Sequence, residues 1–288
     1  MDIGTAKPSC EERARVPHHL IDIRDPHEQF NAGEFVRLAE EACLLAAERG
    51  ALPVVSGGTG FYLKNLVLGL SEAPPSDKEI RAGLNNELAL RGAEALMEEL
   101  FQNDPISAGR IHINDEYRLI RALEVYRLTG RPLSSFASPW NSAVEKAAEA
   151  PFRFLLIGLR RKREELYRRI NERTAAMFRT GLAEEVGRLF EAGYTPADPG
   201  LRAIGYREFF VEDGCSEGAA ASWRISRDLA GVEELIAQNS RRYAKRQVTF
   251  FASLPGVNWI DCSEGADGTE SDAAKIQMLL EDFLRSDG

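Results

Sequence analysis

Four short apolar runs, separated by long helical patterns, constrain the fold of this chain more than any other feature. They lie at residues 20–23, 53–55, 154–159 and 257–260. Apolar runs of this length are typical of buried strands. Strands that alternate with helices favour an α/β fold with a mainly parallel sheet.

The longest early helical pattern predicts where two of these runs belong. Phe35, Leu38, Ala42 and Leu45 recur at helical spacing between residues 32 and 49. The pattern stops at Gly50, the residue type that commonly follows a helix C-terminus. Residues 53–55 are therefore predicted to form the next strand.

Residues 71–150 carry helical patterns and no convincing strand. Pro74 and Pro75 break the preceding element, and Ser76-Asp77 supplies a helix N-cap. We expect a helical insertion domain at 71–150 within an α/β core formed by 1–70 and 151–288.

Bulk composition excludes several classes of protein. The 36 basic and 45 acidic residues give a net charge of −9, which argues against nonspecific coating of nucleic acid, so any RNA contact must be local. The four cysteines are far apart, with no CxxC pair, as expected for reduced thiols. No apolar run is long enough for a signal peptide or a membrane span, and we expect a cytoplasmic protein.

A glycine-rich turn, Ser56-Gly57-Gly58-Thr59-Gly60, follows the second apolar run and precedes a helix. Its amides and the Thr59 hydroxyl would lie at the carboxyl edge of a sheet, where anions and substrates bind. On this pattern alone, an ordinary tight turn is the better explanation.

A basic helix is predicted to begin near Arg161, with one apolar face that continues from Leu166 to Leu189. Arg169 and Arg173 lie four residues apart beside that face, and two guanidinium groups at this spacing could hold a diphosphate. The alternative is a solvated face in which these arginines pair with glutamates, and spacing alone favours it.

Two basic clusters, at residues 153–173 and 241–247, stand out in an acidic chain. Cationic side chains with an interleaved Tyr243 and Gln247 suit RNA phosphates and unstacked bases. A solvated helix face explains them equally well. No His, Asp or Glu set has the spacing of a metal site, and no motif predicts a nucleophile.

Several segments together resemble one family. They are residues 1–8 (MDIGTAKP), 19–23, 57–62 (GGTGFY), 110–115, 118–125, 205–207 (GYR) and 244–247 (AKRQ). Their order and spacing resemble those of the bacterial tRNA dimethylallyltransferases, up to Trp259. The resemblance implies a P-loop NTPase-like α/β core with a helical insertion.

The resemblance also implies a reaction and a set of site residues. Such enzymes transfer a dimethylallyl group from dimethylallyl diphosphate, with Mg²⁺, to the exocyclic amine of the adenosine 3′ to the anticodon of tRNA. Thr59 would lie by the flipped base, and Arg173 would hold the diphosphate. The anticodon stem-loop would contact Arg81, Tyr117, Arg118, Leu119, Ile120, Arg121, Arg202, Ala203, Ile204, Gly205, Tyr206, Arg207, Lys245, Arg246, Gln247, Val248, Thr249, Phe250, Phe251 and Ala252. We expect a monomer.

The sequence departs from the family at its start. In the family, the segment that resembles residues 1–8 follows a Walker A loop ending in Gly-Lys-Ser/Thr and a strand ending in Asp-Ser, whose aspartate is the general base. The 288 residues contain no Gly-Lys-Ser/Thr. We therefore expect that Met1 corresponds to an internal methionine, that the Mg²⁺ ligand and the base are missing, and that this polypeptide alone is poorly soluble and nearly inactive.

Two other functions remain open at this point. A small-molecule kinase would share a P-loop-type core and use arginines on a helical insertion. A noncatalytic RNA-binding remnant would keep the tRNA surface without the chemistry. Binding of labelled tRNA, compared with binding of a nucleotide, distinguishes the kinase from the other two.

Overall fold

The computed structural model describes residues 1–136, 152–213, 222–262 and 265–286, with side chains from residue 269 in the last range. The chain divides into two compact units. Unit 1 contains Met1–Leu66 and Phe154–Gly288, and unit 2 contains Val67–Arg153. The end of the predicted insertion, at 137–150, lies outside the described residues.

The elements follow one another as helices first and strands later. The first part of the chain forms α1 (Cys10–Arg15), α2 (Ala32–Glu48) and α3 (Gly60–Leu68). The middle forms α4 (Lys78–Asn103), α5 (Pro105–Ala108) and α6 (Glu116–Thr129). The last part forms β1 (Ile157–Arg160), α7 (Arg163–Arg179), α8 (Leu182–Glu191), β2 (Phe210–Asp213), β3 (Ser222–Ile225), α9 (Leu229–Ala252), β4 (Asn258–Asp261) and α10 (Gly265–Arg285).

Two of the four predicted strands form, and they pair with each other. β1 and β4 are parallel, and their register runs from Ile157 opposite Asn258 to Arg160 opposite Asp261. A Cβ at Gly158 would lie 2.7 Å from the Trp259 ring, so the pairing needs a glycine there. The separate β2–β3 pair is antiparallel.

The strands predicted at 20–23 and 53–55 are wrong. Leu20 and Asp22 have φ angles of 60° and 57°, which belong to the left-handed region and interrupt an extended backbone. Residues 53–55 form no ladder with any described residue. A strand without a neighbour leaves its backbone N–H and C=O groups to water, and Val54 is accordingly 80% exposed.

Helix boundaries follow the local sequence closely. The Asn31 side chain accepts a hydrogen bond from Glu34 N and caps α2, and Gly50, with φ +69°, follows its end. The helix predicted from Arg161 through Leu189 is instead two helices. Gly181, with φ +97°, separates α7 from α8, because few other residue types adopt that conformation.

A buried carboxylate joins three separate segments of unit 1. Glu185 accepts hydrogen bonds from the amides of Asp2 (2.8 Å) and Ile3 (3.0 Å) and from the Tyr206 hydroxyl (2.5 Å). Burial acts to raise the pKa of Glu185, but the hydrogen bonds from Tyr206 and the backbone outweigh it and lower that pKa. A Cβ at Gly4 would lie 2.5 Å from the Tyr206 ring. The N-terminal motif is therefore fixed against the GYR segment.

Unit 2 is built on the packing of α4 against α6. Its core consists of Leu84, Leu96, Leu100, Leu119, Ile120, Ala122 and Leu123. The Asp77 side chain accepts from Glu79 N and Ile80 N, so the predicted N-cap is confirmed. Within α4, Gly92 has φ +80° and produces a kink.

An ion cluster on unit 2 gives a prediction for acid stability. Arg127 contacts Glu87 at 2.5 Å and Glu99 at 2.8 Å, and the Arg127 hydrogen bond lowers the pKa of Glu87 to about 2. A carboxyl with a depressed folded pKa stabilises the fold above its unfolded pKa and loses this contribution as pH falls. We expect Glu87→Gln to lower the urea midpoint at neutral pH, with the difference from the parent vanishing between pH 4.5 and about 2.

Glu98→Gln is the matched control, because Glu98 is an exposed acid on the same helix. We expect it to leave the neutral midpoint unchanged. A Glu87→Gln difference that persists undiminished at the acid end would contradict the assignment.

Candidate functional site

The glycine-rich turn leads directly into α3. The Thr59 carbonyl accepts from the amides of Tyr62 at 2.9 Å and Leu63 at 3.2 Å, which places Thr59 at the start of the helix. Its side chain is exposed. The hydroxyl is therefore exposed at a helix N-terminus, a position that favours polar or anionic ligands.

The C-terminal half of α9 holds this turn in place. Gln247 Nε2 donates to the Gly58 carbonyl at 2.8 Å, and the Tyr243 hydroxyl donates to the same oxygen at 3.3 Å. A Cβ at Gly60 would lie 2.3 Å from the Phe250 ring. The structure thus brings the turn next to part of the predicted RNA-binding segment 245–252.

Sequence reasoning missed this contact between Gln247, Tyr243 and the turn. The available signal was the spacing of four residues, which places both side chains on one face of α9. The glycines at 58 and 60 were a second signal, because they allow close approach of another element.

Arg173 differs from the other arginines of α7. Arg161 and Arg168 pair with Glu165 and Glu172, each at 2.8 Å, and Arg169 lies 3.8 Å from Glu165. Pairing with glutamates therefore describes these three, and the Glu165 side chain that Arg161 and Arg169 share is itself buried. Arg173 is exposed and has no hydrogen bond or ion pair to another described residue. Its guanidinium group is available to a ligand.

The helices α7 and α9 are in direct contact. Arg241 Nη1 donates to Asn171 Oδ1 at 2.6 Å, two residues before Arg173. Since α9 also holds the Thr59 turn, the two predicted catalytic residues lie on elements that pack against the same helix.

A cleft of about 860 Å³ lies in unit 1 beside this region. Its walls include residues 5–8 of the N-terminal motif, residues 20–26, Phe30 and Tyr62. Tyr62 belongs to the first turn of α3 and donates a hydrogen bond to the Phe30 carbonyl at 3.1 Å. The cleft therefore adjoins the helix that Thr59 begins, and sequence reasoning did not identify it.

The predicted contacts at 202–207 divide into exposed and buried residues. Arg202, Ala203 and Arg207 are exposed and Ile204 is half-buried, whereas Gly205 and Tyr206 are buried. The Arg202 guanidinium donates to the carbonyls of Pro196 (3.1 Å) and Ala197 (2.8 Å). Tyr206 packs in the core, so its side chain holds the segment in place.

Within 245–252, most side chains face solvent. Gln247, Phe250 and Phe251 are half-buried, and the exposed residues are Lys245, Arg246, Val248, Thr249 and Ala252. Two cations on an exposed helix face give this part of an acidic chain a positive surface.

Unit 2 carries its own group of predicted contacts. The Arg81 guanidinium lies 4.7 Å from the centre of the Tyr117 ring, which is 70% exposed. Arg118 is exposed and pairs with Asp115 at 2.8 Å, and Arg121 is partly exposed. Leu119 and Ile120 are buried in the core of unit 2, so their side chains are not available to RNA.

The described residues contain no group of three His, Cys, Asp or Glu side chains that could hold a metal ion. Across the described part of the chain, no helix combines the length and apolarity needed to cross a membrane.

Comparisons with known proteins identify the family of this chain. The family model for IPP transferase matches residues 1–254. The chain is 42% identical over 278 residues to the tRNA dimethylallyltransferase of Geobacter sulfurreducens, covering 96% of this chain and 84% of that protein. It is 40% identical over 285 residues to that of Desulfosudis oleivorans, with 99% and 84% coverage.

Solved structures of transferases that act on tRNA are also similar to this chain. The tRNA isopentenylpyrophosphate transferase of Bacillus halodurans is 33% identical, with a TM-score of 0.61 and coverage of 100% of this chain and 86% of that one. A eukaryotic dimethylallyltransferase acting on tRNA has a TM-score of 0.74 over 99% of this chain and 69% of its own, and at 24% identity it supports the fold alone.

The fold and the relatives together define a transferase with a P-loop NTPase-like α/β core, and the predicted fold class is confirmed. More particularly, the chain belongs to the IPP transferase family. The family predicted from the sequence motifs is confirmed as well.

Proposed function

We propose that this protein transfers a dimethylallyl group from dimethylallyl diphosphate to the exocyclic amine of the adenosine 3′ to the anticodon of tRNA. The observation that carries the proposal is the common packing of the Thr59 turn and the Arg173 helix against α9. The names of the relatives, tRNA dimethylallyltransferase, support it.

Arg173 acts on the leaving group in this proposal. The bond between the allylic carbon and the diphosphate oxygen breaks, positive charge develops on the carbon, and the adenosine nitrogen forms the new bond and loses a proton. Negative charge grows on the diphosphate as it departs. A guanidinium group with fixed donors stabilises that charge more in the transition state than in the substrate.

Thr59 acts on the acceptor. The adenine must leave its stack to reach the prenyl donor, which costs a few kcal/mol and requires polar groups that hold the extruded base. The Thr59 hydroxyl is exposed at the start of α3, where it can hydrogen-bond such a base.

We include Mg²⁺ in the proposal because the resemblance to the family implies it. The described residues provide no cluster of ligands for it, and we assign no step to it. The general base likewise has no assigned residue in this chain. We further propose that the protein acts as a monomer in the cytoplasm, where tRNA is found.

A binding experiment tests the RNA part of the proposal. Fluorescence anisotropy would measure binding of the chain to a labelled tRNA anticodon stem-loop and, separately, to a labelled ATP analogue. We expect stem-loop binding that weakens steeply with salt, because phosphate contacts release counterions. Binding of ATP with no binding of the stem-loop would favour a kinase instead.

For transfer assays we define the extended chain as these 288 residues preceded by a Walker A segment of the kind that the family carries. The 288 residues contain no Gly-Lys-Ser/Thr, the motif with which that segment ends. With the extended chain, the contributions of Arg173 and Gln247 are measured in the presence of that motif.

Gln247 gives a prediction within this proposal. Gln247→Ala removes the 2.8 Å hydrogen bond to the Gly58 carbonyl and loosens the turn that presents Thr59. We expect the transfer rate of the extended chain to fall about tenfold, as loss of one orienting hydrogen bond allows. Gln238→Ala, at an exposed position of the same helix, is the control and should transfer at the parent rate. Equal transfer rates for the two variants would show that Gln247 does not position the Thr59 turn.

A further inference from the structure

Glu124 of α6 is a fully buried carboxylate within unit 2, and its side chain is 0% exposed. Its two oxygens have different partners. Oε1 accepts from the Ser76 hydroxyl at 2.5 Å and from the Asp77 amide at 2.8 Å. Oε2 accepts from Arg121 at 2.9 Å and from Arg81 at 3.2 Å. One carboxylate thus ties the start of α4 to α6.

The position of this carboxylate fixes two guanidinium groups beside each other. Arg81 lies in the first turn of α4, and Arg121 lies one turn before Glu124 on α6. Arg121 is held further by a hydrogen bond from Nη2 to the Pro74 carbonyl. Both arginine side chains are 24% exposed, so each is held by its buried hydrogen-bond partner and still contacts solvent.

An exposed aromatic ring completes the group. Arg81 lies 4.7 Å from the centre of the Tyr117 ring, and Tyr117 is 70% exposed. Forked cationic donors suit phosphate oxygens, and an exposed tyrosine ring suits stacking against an unpaired base. This combination matches single-stranded RNA better than it matches an acidic protein surface.

The charges explain why a buried acid belongs here. Two guanidinium groups and one carboxylate leave one net positive charge, so the group still attracts phosphate. Burial acts to raise the pKa of Glu124, but the hydrogen bonds from Ser76 and Arg121 outweigh it and lower that pKa, which keeps the carboxylate ionised. Without Glu124, the two arginines would repel each other and lose their common orientation.

We infer that Glu124 is a positioning residue for tRNA recognition, which holds Arg81 and Arg121 in the orientation that binds RNA phosphates beside Tyr117. The inference rests on the proposed function. It predicts a change in RNA affinity opposite to the change that net charge alone predicts. Glu124→Gln raises the net charge of the protein by one unit, which alone would tighten RNA binding, yet loss of the two oriented arginines weakens it.

The test is the affinity of the 288-residue chain for a labelled tRNA anticodon stem-loop, measured over a series of salt concentrations. We expect Glu124→Gln to raise Kd about tenfold and to reduce the salt slope by about one to two units, as expected for one or two lost phosphate contacts. Glu87→Gln is the control, because it makes the same charge change within unit 2 at the separate Arg127 cluster. It should leave Kd and slope close to the parent values.

Two further variants keep the test decisive. If Glu124→Gln does not fold by circular dichroism, Glu124→Asp retains the buried charge but shortens its reach, and it should raise Kd about threefold or more. In an Arg81→Ala background, the effect of Glu124→Gln should shrink by at least half. A folded Glu124 variant that binds as tightly as the parent, or more tightly, overturns the inference. Absence of stem-loop binding by the parent chain would count against the proposed function instead.

Discussion

Replacement of Arg173 by alanine in the extended chain is expected to lower kcat for dimethylallyl transfer by about 10²–10³-fold, with a smaller change in KM for tRNA. Among the described residues this guanidinium group has no intramolecular partner, while its neighbours on α7 pair with glutamates. A donor that meets the departing diphosphate contributes mainly in the transition state, so its loss lowers kcat. Single-turnover transfer to an anticodon stem-loop measures the chemical step directly.

Arg168→Ala is the matched control on the same helix. Arg168 is 60% exposed and pairs with Glu172 at 2.8 Å, so its removal changes the charge of α7 without touching the assigned site. We expect a rate within about twofold of the parent, since exposed ion pairs contribute little. Similar losses for Arg168→Ala and Arg173→Ala would mean that general charge, rather than a specific contact, determines the rate.

Replacement of Glu185 by alanine is expected to destabilise unit 1 by about 3 kcal/mol or more. The carboxylate is the common acceptor for the amides of Asp2 and Ile3 and for the Tyr206 hydroxyl, and Tyr206 is 0% exposed. The variant leaves these donors without an acceptor and opens a void in the core. Urea unfolding followed by circular dichroism would measure the change.

A graded series tests that explanation. Tyr206→Phe removes one donor and leaves the carboxylate bound to the backbone, so we expect a loss of about 1–2 kcal/mol. Glu184→Ala removes the exposed neighbouring acid and should change the free energy of unfolding by less than about 0.5 kcal/mol. If Glu185→Ala and Glu184→Ala unfold at the same urea concentration, the carboxylate does not hold the N-terminal motif.

Local sequence rules predicted the helices of this protein well. Asn31 and Gly50 mark the ends of α2 and Asp77 marks the start of α4, because capping depends on a few adjacent residues. The strands at β1 and β4 were predictable from their apolar runs. The family was predictable because many separate motifs keep one order and spacing.

Features that depend on distant partners were not predictable in the same way. Residues 53–55 have the composition of a strand, but a strand also needs a neighbour with which to hydrogen-bond. The contact of Gln247 with Gly58 spans 189 positions, and that of Glu185 with Asp2 spans 183. Hydrophobic spacing carries no information about such pairs. The burial of individual residues was not predictable either. Within the predicted RNA-binding segments, Leu119 and Tyr206 are buried in the cores, whereas Arg118 and Arg207 are exposed.

The most direct test of the proposed function is prenylation of a defined RNA. The extended chain would be incubated with dimethylallyl diphosphate and a tRNA anticodon stem-loop, and the product would be digested and analysed by mass spectrometry. We predict one added dimethylallyl group on the adenosine 3′ to the anticodon and none on the same stem-loop with guanosine at that position. An unmodified adenosine, under conditions in which the stem-loop is bound, would contradict the proposal.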